Sequence, residues 1–357
     1  IIEESPSVAV DPDLRGRMGA CACRLAREAG YVNAGTVEFI LDPAGNFYFL
    51  EMNTRLQVEH PVTEMVTGLD LVELQLRVAA GEALPLRQED LAWKGWAVEA
   101  RICAEDPARG FLPSTGMITR YSPAQGANIR LDSGVEAGSL VSVFYDSLLA
   151  KVIAWGDTRQ DAIDALVRAL NGYHIEGLAT NVDFVNSILT HPEFVAGNLS
   201  TAFIESHFEK GLPKRPPPME RLHFMAMAAT IVYHNRQSLT RESLKPMAAR
   251  VGVVHAPQGC HPYRVRCRED VFEICLRKDP PPHEWTVTVD GRSHAVATPA
   301  FEFYRRRLKL GIDGRPHMFR LYYNYSFFGV AFCGTAHIFE VFSPREWELA
   351  RHMPAPR

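Results

Sequence analysis

The segment Glu51-Met-Asn-Thr-Arg-Leu-Gln-Val-Glu-His60 places a polar residue at every second position. On an extended backbone Glu51, Asn53, Arg55, Gln57 and Glu59 point one way, and Met52, Leu56 and Val58 the other. A solvent-facing strand edge with Arg55 paired to Glu59 satisfies that periodicity by itself. Glu38 weighs against it, because it sits inside the preceding strand-like run Gly35–Leu41 among Val37, Phe39, Ile40 and Leu41. A carboxylate in an apolar run needs a partner. The run Phe47–Asn53 follows after Asp42-Pro-Ala-Gly-Asn46, which has hairpin-turn composition. Pairing the two runs brings Glu38 close to Glu51, and two adjacent carboxylates repel unless they share a proton or a cation. Hard oxygen ligands suit Mg²⁺ or Mn²⁺, whose remaining positions are commonly filled by water and substrate phosphate. Arg55 is then placed to clamp an anion, and Glu59 to act as a general base.

Outward from this segment the first half alternates helices and strands. Asp11-Pro12 reads as an N-cap with proline at the first helical position, and Leu14, Met18, Cys21, Ala22 and Leu25 recur at helical spacing up to Gly30. Further helices are expected from Leu69 to Ala80 and from Thr158 to Leu170, and strands at Trp96–Cys103, Ile129–Asp132 and Leu148–Ala154. Beyond Gly211-Leu-Pro-Lys-Arg-Pro-Pro-Pro218, a stiff linker by composition, a helix over Glu220–Tyr233 precedes several short strand-like runs. Asp290-Gly291 and Asp313-Gly314 are hairpin dipeptides among them, so a small barrel or sandwich is expected. The fold class is α+β, with residues 1–212 as one domain, 213–219 as linker and 220–357 as a second.

At 357 residues with 46% hydrophobic and 22% charged side chains, the chain is long enough for two or three cored domains. It has no apolar run of the length a membrane helix needs. The net charge of −4 divides into −11 over residues 1–215 and +7 over 216–357. The basic half shows no nucleic-acid motif, and Arg305-Arg306-Arg307 reads as a solvated strand end or a protein contact. Seven scattered cysteines without a CxxC pair argue against a disulfide framework and for reduced thiols. His60, His174 and His191 lack metal-ligand spacing, and Met225–Met227 read as core.

Residues 51–68, EMNTRLQVEHPVTEMVTG, resemble the signature of the biotin carboxylases, a family of ATP-grasp ligases. AVEARICAEDP (97–107), FLPSTGMITRY (111–121), YDSLLAKVIAWG (145–156) and TNVDF (180–184) extend the resemblance over residues 1 to about 212. RGFLPS (109–114) and SPREWELARHMP (343–354) are similar to the biotin-carrying α subunits of acyl-CoA carboxylases, propionyl-CoA carboxylase above all. The resemblance implies the C-terminal part of an ATP-grasp biotin carboxylase followed by a helix-plus-antiparallel-barrel domain. It implies ATP, Mg²⁺ or Mn²⁺, biotin and bicarbonate as reactants and cofactors, with carboxybiotin, ADP and phosphate as products. Glu38, Glu51 and Asn53 would hold the metal on the ATP phosphates, and Ile40, Leu50 and Ile175 would line the adenine pocket. Glu59 would deprotonate bicarbonate, Arg55 would hold it, and Gln57 with the Val58 backbone would orient it. Arg101 would stabilise the biotin enolate, and Tyr145-Asp146 either joins the biotin site or ends a strand.

The implied partners are a carboxyltransferase β subunit, contacted through residues 220–357, and a biotin carrier domain, in a large hetero-oligomer with no nucleic acid and no membrane. The implied compartment is bacterial cytoplasm or mitochondrial matrix. The family's N-terminal domain, its glycine-rich lid and its biotin-acceptor lysine have no counterpart in these residues, so the 357 residues alone are expected to hydrolyse little or no ATP. The rival expectations are a non-catalytic assembly module and the same chemistry serving methylcrotonyl-, geranyl- or acetyl-CoA.

Overall fold

The computed structural model describes residues 1–209, 211–214, 216–243, 259–280, 283–298, 306–324 and 327–352. The chain divides into two compact units, Ile1–Ala169 with Ile175–Ile204, and Leu170–His174 with Glu205–Arg357.

The first unit opens with β1 (Ile2–Ser5) and α1 (Pro12–Glu28). The Asp11 carboxylate accepts the Leu14 amide at 2.8 Å, and Pro12 stands at the first helical position as the sequence predicts. Gly30 then turns the chain at φ +59°. Of the expected apolar stripe on α1, only Leu14 is buried. β2 (Thr36–Leu41) and β3 (Phe47–Asn53) form the expected hairpin, and α2 (His60–Thr67) and α3 (Leu71–Ala79) follow. β4 (Trp96–Cys103), β5 (Ile129–Ser133) and β6 (Leu148–Gly156) join β1 in an antiparallel sheet of order β1-β4-β6-β5. β4 is interior to the sheet and covered on both sides, so Ala97, Val98, Ala100 and Ile102 all have no exposed surface. Val62 and Val66 of α2 pack on Ala97 and Ile153. Each Val or Ile side chain so removed from water contributes about 1.5–3 kcal/mol. α4 (Arg159–Gly172) and α5 (Val182–Leu189) complete the unit's larger elements.

In the second unit α6 (Met219–Ser243) runs ten residues past the predicted end. Met225 through Thr230 have no exposed surface at all, so this stretch of the helix is buried around its whole circumference rather than along one stripe. Its surroundings explain that pattern. Eight antiparallel strands, β7 (His261–Cys267), β8 (Asp270–Asp279), β9 (Glu284–Val289), β10 (Arg292–Ala297), β11 (Arg307–Ile312), β12 (Arg315–Asn324), β13 (Phe327–Phe332) and β14 (Thr335–Phe342), close into a barrel. The helix packs against β7, β8, β9, β13 and β14. Strand residues alternate, so Phe272, Ile274 and Leu276, or Val287 and Val289, face inward. Asp290 and Gly291, at φ +46° and +85°, and Asp313 and Gly314, at +50° and +79°, take the left-handed conformations a two-residue hairpin demands. Cys333-Gly334 does the same at +49° and +77°, a turn its composition did not announce. α7 (Pro344–Ala350) begins with a capping box in which the Ser343 hydroxyl and Glu346 carboxylate accept each other's backbone amide.

One expectation is corrected here. Cys260 and Cys275 form a disulfide with Cα atoms 5.7 Å apart, because Cys260 immediately precedes β7, whose Pro262 is paired with Cys275 on β8. Cys21, Cys23, Cys103, Cys267 and Cys333 take part in no disulfide among the described residues. Arg305 and residues 353–354 of the C-terminal text lie outside the described residues, while Arg307 opens β11 and donates to the Gly172 carbonyl at 3.0 Å.

Candidate functional site

The β2–β3 register sets Glu38 directly opposite Glu51, so both side chains leave the same face of the hairpin. A bulge follows, in which Leu50 is the extra residue between Glu51 and Phe49. Asn53 Nδ2 donates to Glu38 Oε1 at 2.8 Å and to Glu51 Oε1 at 3.2 Å, and Gln57 Nε2 donates to the same Glu38 oxygen at 2.7 Å. Four polar side chains thus converge on one point. The second oxygen of each carboxylate is left over, which fits a Mg²⁺-type ion held by two carboxylates and completed by phosphate and water. Among the described residues no cluster of three or more His, Cys, Asp or Glu side chains could hold a metal unaided.

The extended backbone expected through Glu59 ends at Asn53. Residues 54–59 bend into α2, with the His60 amide donating to the Gln57 carbonyl at 3.4 Å and Val62 to Glu59 at 3.2 Å. The physical reason is the helix that follows: Glu59, at φ −81° and ψ 5°, is already its N-cap, and Pro61 enforces helical φ in the first turn. The bend separates residues that strict alternation would align. Arg55 is exposed, with Nη1 on the Leu56 carbonyl at 3.2 Å, and Glu59 pairs instead with Arg101, Nη2 to Oε2 at 2.9 Å. Arg101 Nε also lies 3.0 Å from Glu3 Oε1. The base candidate and the enolate-stabilising candidate, 42 residues apart in sequence, are therefore one ion pair.

Two side chains that sequence reasoning passed over support this pair. Lys151 of β6 donates to the Val58 carbonyl at 3.0 Å and lies 3.6 Å from Asp132, pinning the peptide just before Glu59. Glu99 of β4 is completely buried beside Arg101. Both stand inside apolar runs, Ala-Val-Glu-Ala and Leu-Ala-Lys-Val, the same signal that singles out Glu38. Asn181 of the TNVDF text is also fully buried, and its side chain accepts from the Cys103 amide at 2.8 Å and donates to the Arg101 carbonyl at 3.0 Å.

Ile40 and Leu50 lie on the hairpin, about half exposed, and Ile175 is on the short strand His174–Glu176. Tyr145 is exposed, and Asp146 accepts the Leu148 amide at 2.8 Å at the start of β6. His60 faces the Gln57 carbonyl at 2.9 Å and His191 caps a short helix, both ordinary structural roles. Met225 and Met227 are core. No described helix is long and apolar enough to cross a membrane.

Comparison with known proteins bears on these features. Residues 1–87 match the carbamoyl-phosphate synthase L chain ATP-binding domain, residues 99–206 the biotin carboxylase C-terminal domain, and residues 225–355 the propionyl-coenzyme A carboxylase BT domain. The chain is 38% identical to the propionyl-CoA carboxylase alpha chain of Ruegeria pomeroyi, over 99% of this chain and 54% of that one. It is 52% identical to the mitochondrial methylcrotonoyl-CoA carboxylase subunit alpha of Rattus norvegicus, over 60% of this chain and 30% of that one. The chain thus spans between about a third and a half of the length of these relatives. A similar solved structure is the biotin carboxylase domain of Hydrogenobacter thermophilus 2-oxoglutarate carboxylase with MgADP, ADP and bicarbonate, at 42% identity and a TM-score of 0.58 over 60% of this chain and 48% of that one. With an ATP-binding segment, a biotin carboxylase C-terminal domain and a BT domain in that order, the chain belongs to the biotin-dependent carboxylase family, on its biotin carboxylase side.

Proposed function

We propose that this chain is part of the α subunit of propionyl-CoA carboxylase and that its first 212 residues take part in ATP- and bicarbonate-dependent carboxylation of biotin. The observation that carries this reading is the joining of Glu59 to Arg101 at 2.9 Å, with Gln57, two residues before Glu59, donating to Glu38 of the Glu38–Glu51 carboxylate pair. Glu59 is the base that takes the proton from bicarbonate, whose hydroxyl must lose it before the oxygen attacks a phosphate. Arg55, exposed and free to reorient its guanidinium, holds the anion, while Gln57 and the Val58 backbone set its orientation, with Lys151 fixing the Val58 peptide. Arg101 stabilises negative charge on the enolate form of the acceptor, next to the base it already touches. Glu38, Glu51 and Asn53 would hold Mg²⁺ or Mn²⁺, which would neutralise charge on the ATP phosphates. Biotin would supply the ureido nitrogen that accepts the carboxyl group. Ile40 and Leu50, with Ile175, line the adenine side.

Residues 220–357 serve as the contact for a carboxyltransferase β subunit in a larger assembly that also includes a biotin carrier domain. Propionyl-CoA is favoured over other acyl-CoA substrates by the BT match over 225–355 and by the 99% coverage of this chain against the Ruegeria relative. The methylcrotonoyl relative, at 52% identity, supports the same biotin chemistry with a different acyl acceptor as the second reading. Bacterial cytoplasm or mitochondrial matrix is the compartment, in keeping with bacterial and mitochondrial relatives.

The test is made in the full-length protein that carries this chain. Glu59→Gln should abolish bicarbonate- and biotin-dependent ATP cleavage while leaving subunit assembly intact. Unchanged turnover with Glu59→Gln would instead point to an assembly role for the chain.

A further inference from the structure

Glu99 has no exposed surface, and neither of its carboxylate oxygens has a hydrogen-bond partner. Strand register places Glu3 of β1 directly across from it on one side and Ile153 of β6 on the other, so all three side chains share a face. Arg101, two residues along β4, leaves the same face. α2 lies over that face, with Val62 and Val66 on Ala97 and Ile153 making the surroundings apolar. The charged groups acting on Glu99 are Glu3 from β1, Arg101 from β4, Lys151 from β6 and Glu59 at the head of α2. Farther along α2, Glu64 is engaged with Arg130 at 2.6 Å, and His60 with the Gln57 carbonyl.

Both cations near Glu99 are engaged elsewhere. Arg101 donates to Glu59 and lies 3.0 Å from Glu3, and Lys151 donates to the Val58 carbonyl and lies 3.6 Å from Asp132. A third carboxylate in this layer would be left without a counter-charge, and a buried unpaired charge is avoided by binding a proton. Burial first, and then the neighbouring Glu3, push the Glu99 carboxyl up to about 8, against the opposing pull of Lys151 and Arg101.

We propose that Glu99 is a positioning residue for the Glu59–Arg101 pair: as the neutral acid it leaves Arg101 free to hold Glu59, and as the anion it competes for the same guanidinium and loosens the base from it. The proposal rests on the functional reading above for the roles of Glu59 and Arg101. The step is a single ionisation in which the Glu99 proton passes to solvent. Within one strand, residues 99 and 101 thereby form a built-in alkaline limit on the site.

The test has two arms. In the full-length protein, kcat/KM for bicarbonate should decline on the alkaline side with an inflection near pH 8, where Glu99 ionises. Glu99→Gln, which is neutral at every pH, should abolish that inflection. An inflection that persists in Glu99→Gln overturns the proposal, as does a folded Glu99→Gln enzyme with no measurable rate, because glutamine reproduces the neutral acid. The second arm needs no activity and no variant. Infrared difference spectra of the wild-type protein, with and without ¹³C-carboxyl glutamate, should show a protonated buried carboxyl at neutral pH that disappears as the pH passes about 8. Absence of that signal at neutral pH also overturns the proposal. A wild-type protein that shows the carboxyl signal but carboxylates no biotin would sink the functional reading and leave the neutral state of Glu99 standing.

Discussion

Asn181→Ala is the perturbation that ties the fold most directly to the site. Asn181 is fully buried, and its side-chain amide bridges two backbone groups of β4, accepting from the Cys103 amide at 2.8 Å and donating to the Arg101 carbonyl at 3.0 Å. Its own backbone amide donates to the Cys103 carbonyl at 3.2 Å, so the C-terminal end of β4 is held at three points. Alanine removes two of them and leaves a buried donor and a buried acceptor unpaired. Each such orphan costs about 1–3 kcal/mol, so a loss of about 2–6 kcal/mol is expected. Against the 5–15 kcal/mol typical of a folded domain, as a rough scale, that is a large fraction. Urea unfolding of the variant measures the loss, and hydrogen exchange at the Cys103 amide locates it. Asn181→Asp should be no better than alanine, because a carboxylate can accept from Cys103 but only repels the Arg101 carbonyl. In the full-length protein the same variant should lower kcat/KM for bicarbonate by about tenfold or more, since Arg101 would no longer be held against Glu59. Destabilisation below about 1 kcal/mol, with the Cys103 amide still protected, would refute the reasoning that this side chain anchors the strand.

Three further outcomes follow from the packing. Gly177→Ala should destabilise the first unit by about 2 kcal/mol or more in thermal unfolding, because φ there is +110° and a Cβ would lie 2.0 Å from the Met117 carbonyl oxygen. Met227→Ala should cost about 2–5 kcal/mol in the barrel, where the helix is enclosed on all sides; a loss confined to a few tenths would mean the helix is not the core. His317 is held below its ordinary value by burial and then by the Arg315 cation. It is therefore neutral in the fold but protonates in the unfolded chain near 6.5, so its contribution is present above that pH and is lost as the pH falls below it. Melting temperatures of the barrel should drop on acidification from about pH 7 to 5, and His317→Gln should flatten that drop.

Local signals were legible wherever the cause lies between near neighbours. Asp11-Pro12 announced a cap, Asp42–Asn46 a hairpin, and Asp290-Gly291 and Asp313-Gly314 the tight turns of the barrel, because cap and turn geometry depend on a few consecutive residues. Glu38 announced itself as a carboxylate stranded among apolar residues, and the hairpin does set it opposite Glu51. The alternation through Glu59 misled, since the same polar pattern serves a strand or a bent loop, and the start of α2 at His60, with Pro61 in its first turn, decided between them. Cys260 and Cys275 could not be paired from spacing alone, because their proximity arises from the register of β7 on β8.

By itself the sequence determined the elements, their turns and the kinship of the EMNTRLQVEH text, all of which are written in contiguous residues. Only the tertiary structure decided which charges meet. Arg101 pairs with Glu59 rather than Arg55 doing so, Lys151 holds Val58, and Glu99 is left buried without a partner, because β4 crosses beneath α2 and is flanked by β1 and β6. A Coulomb interaction or a hydrogen bond depends on separation in space, and between residues 42 or 93 positions apart that separation is set by sheet order and strand register.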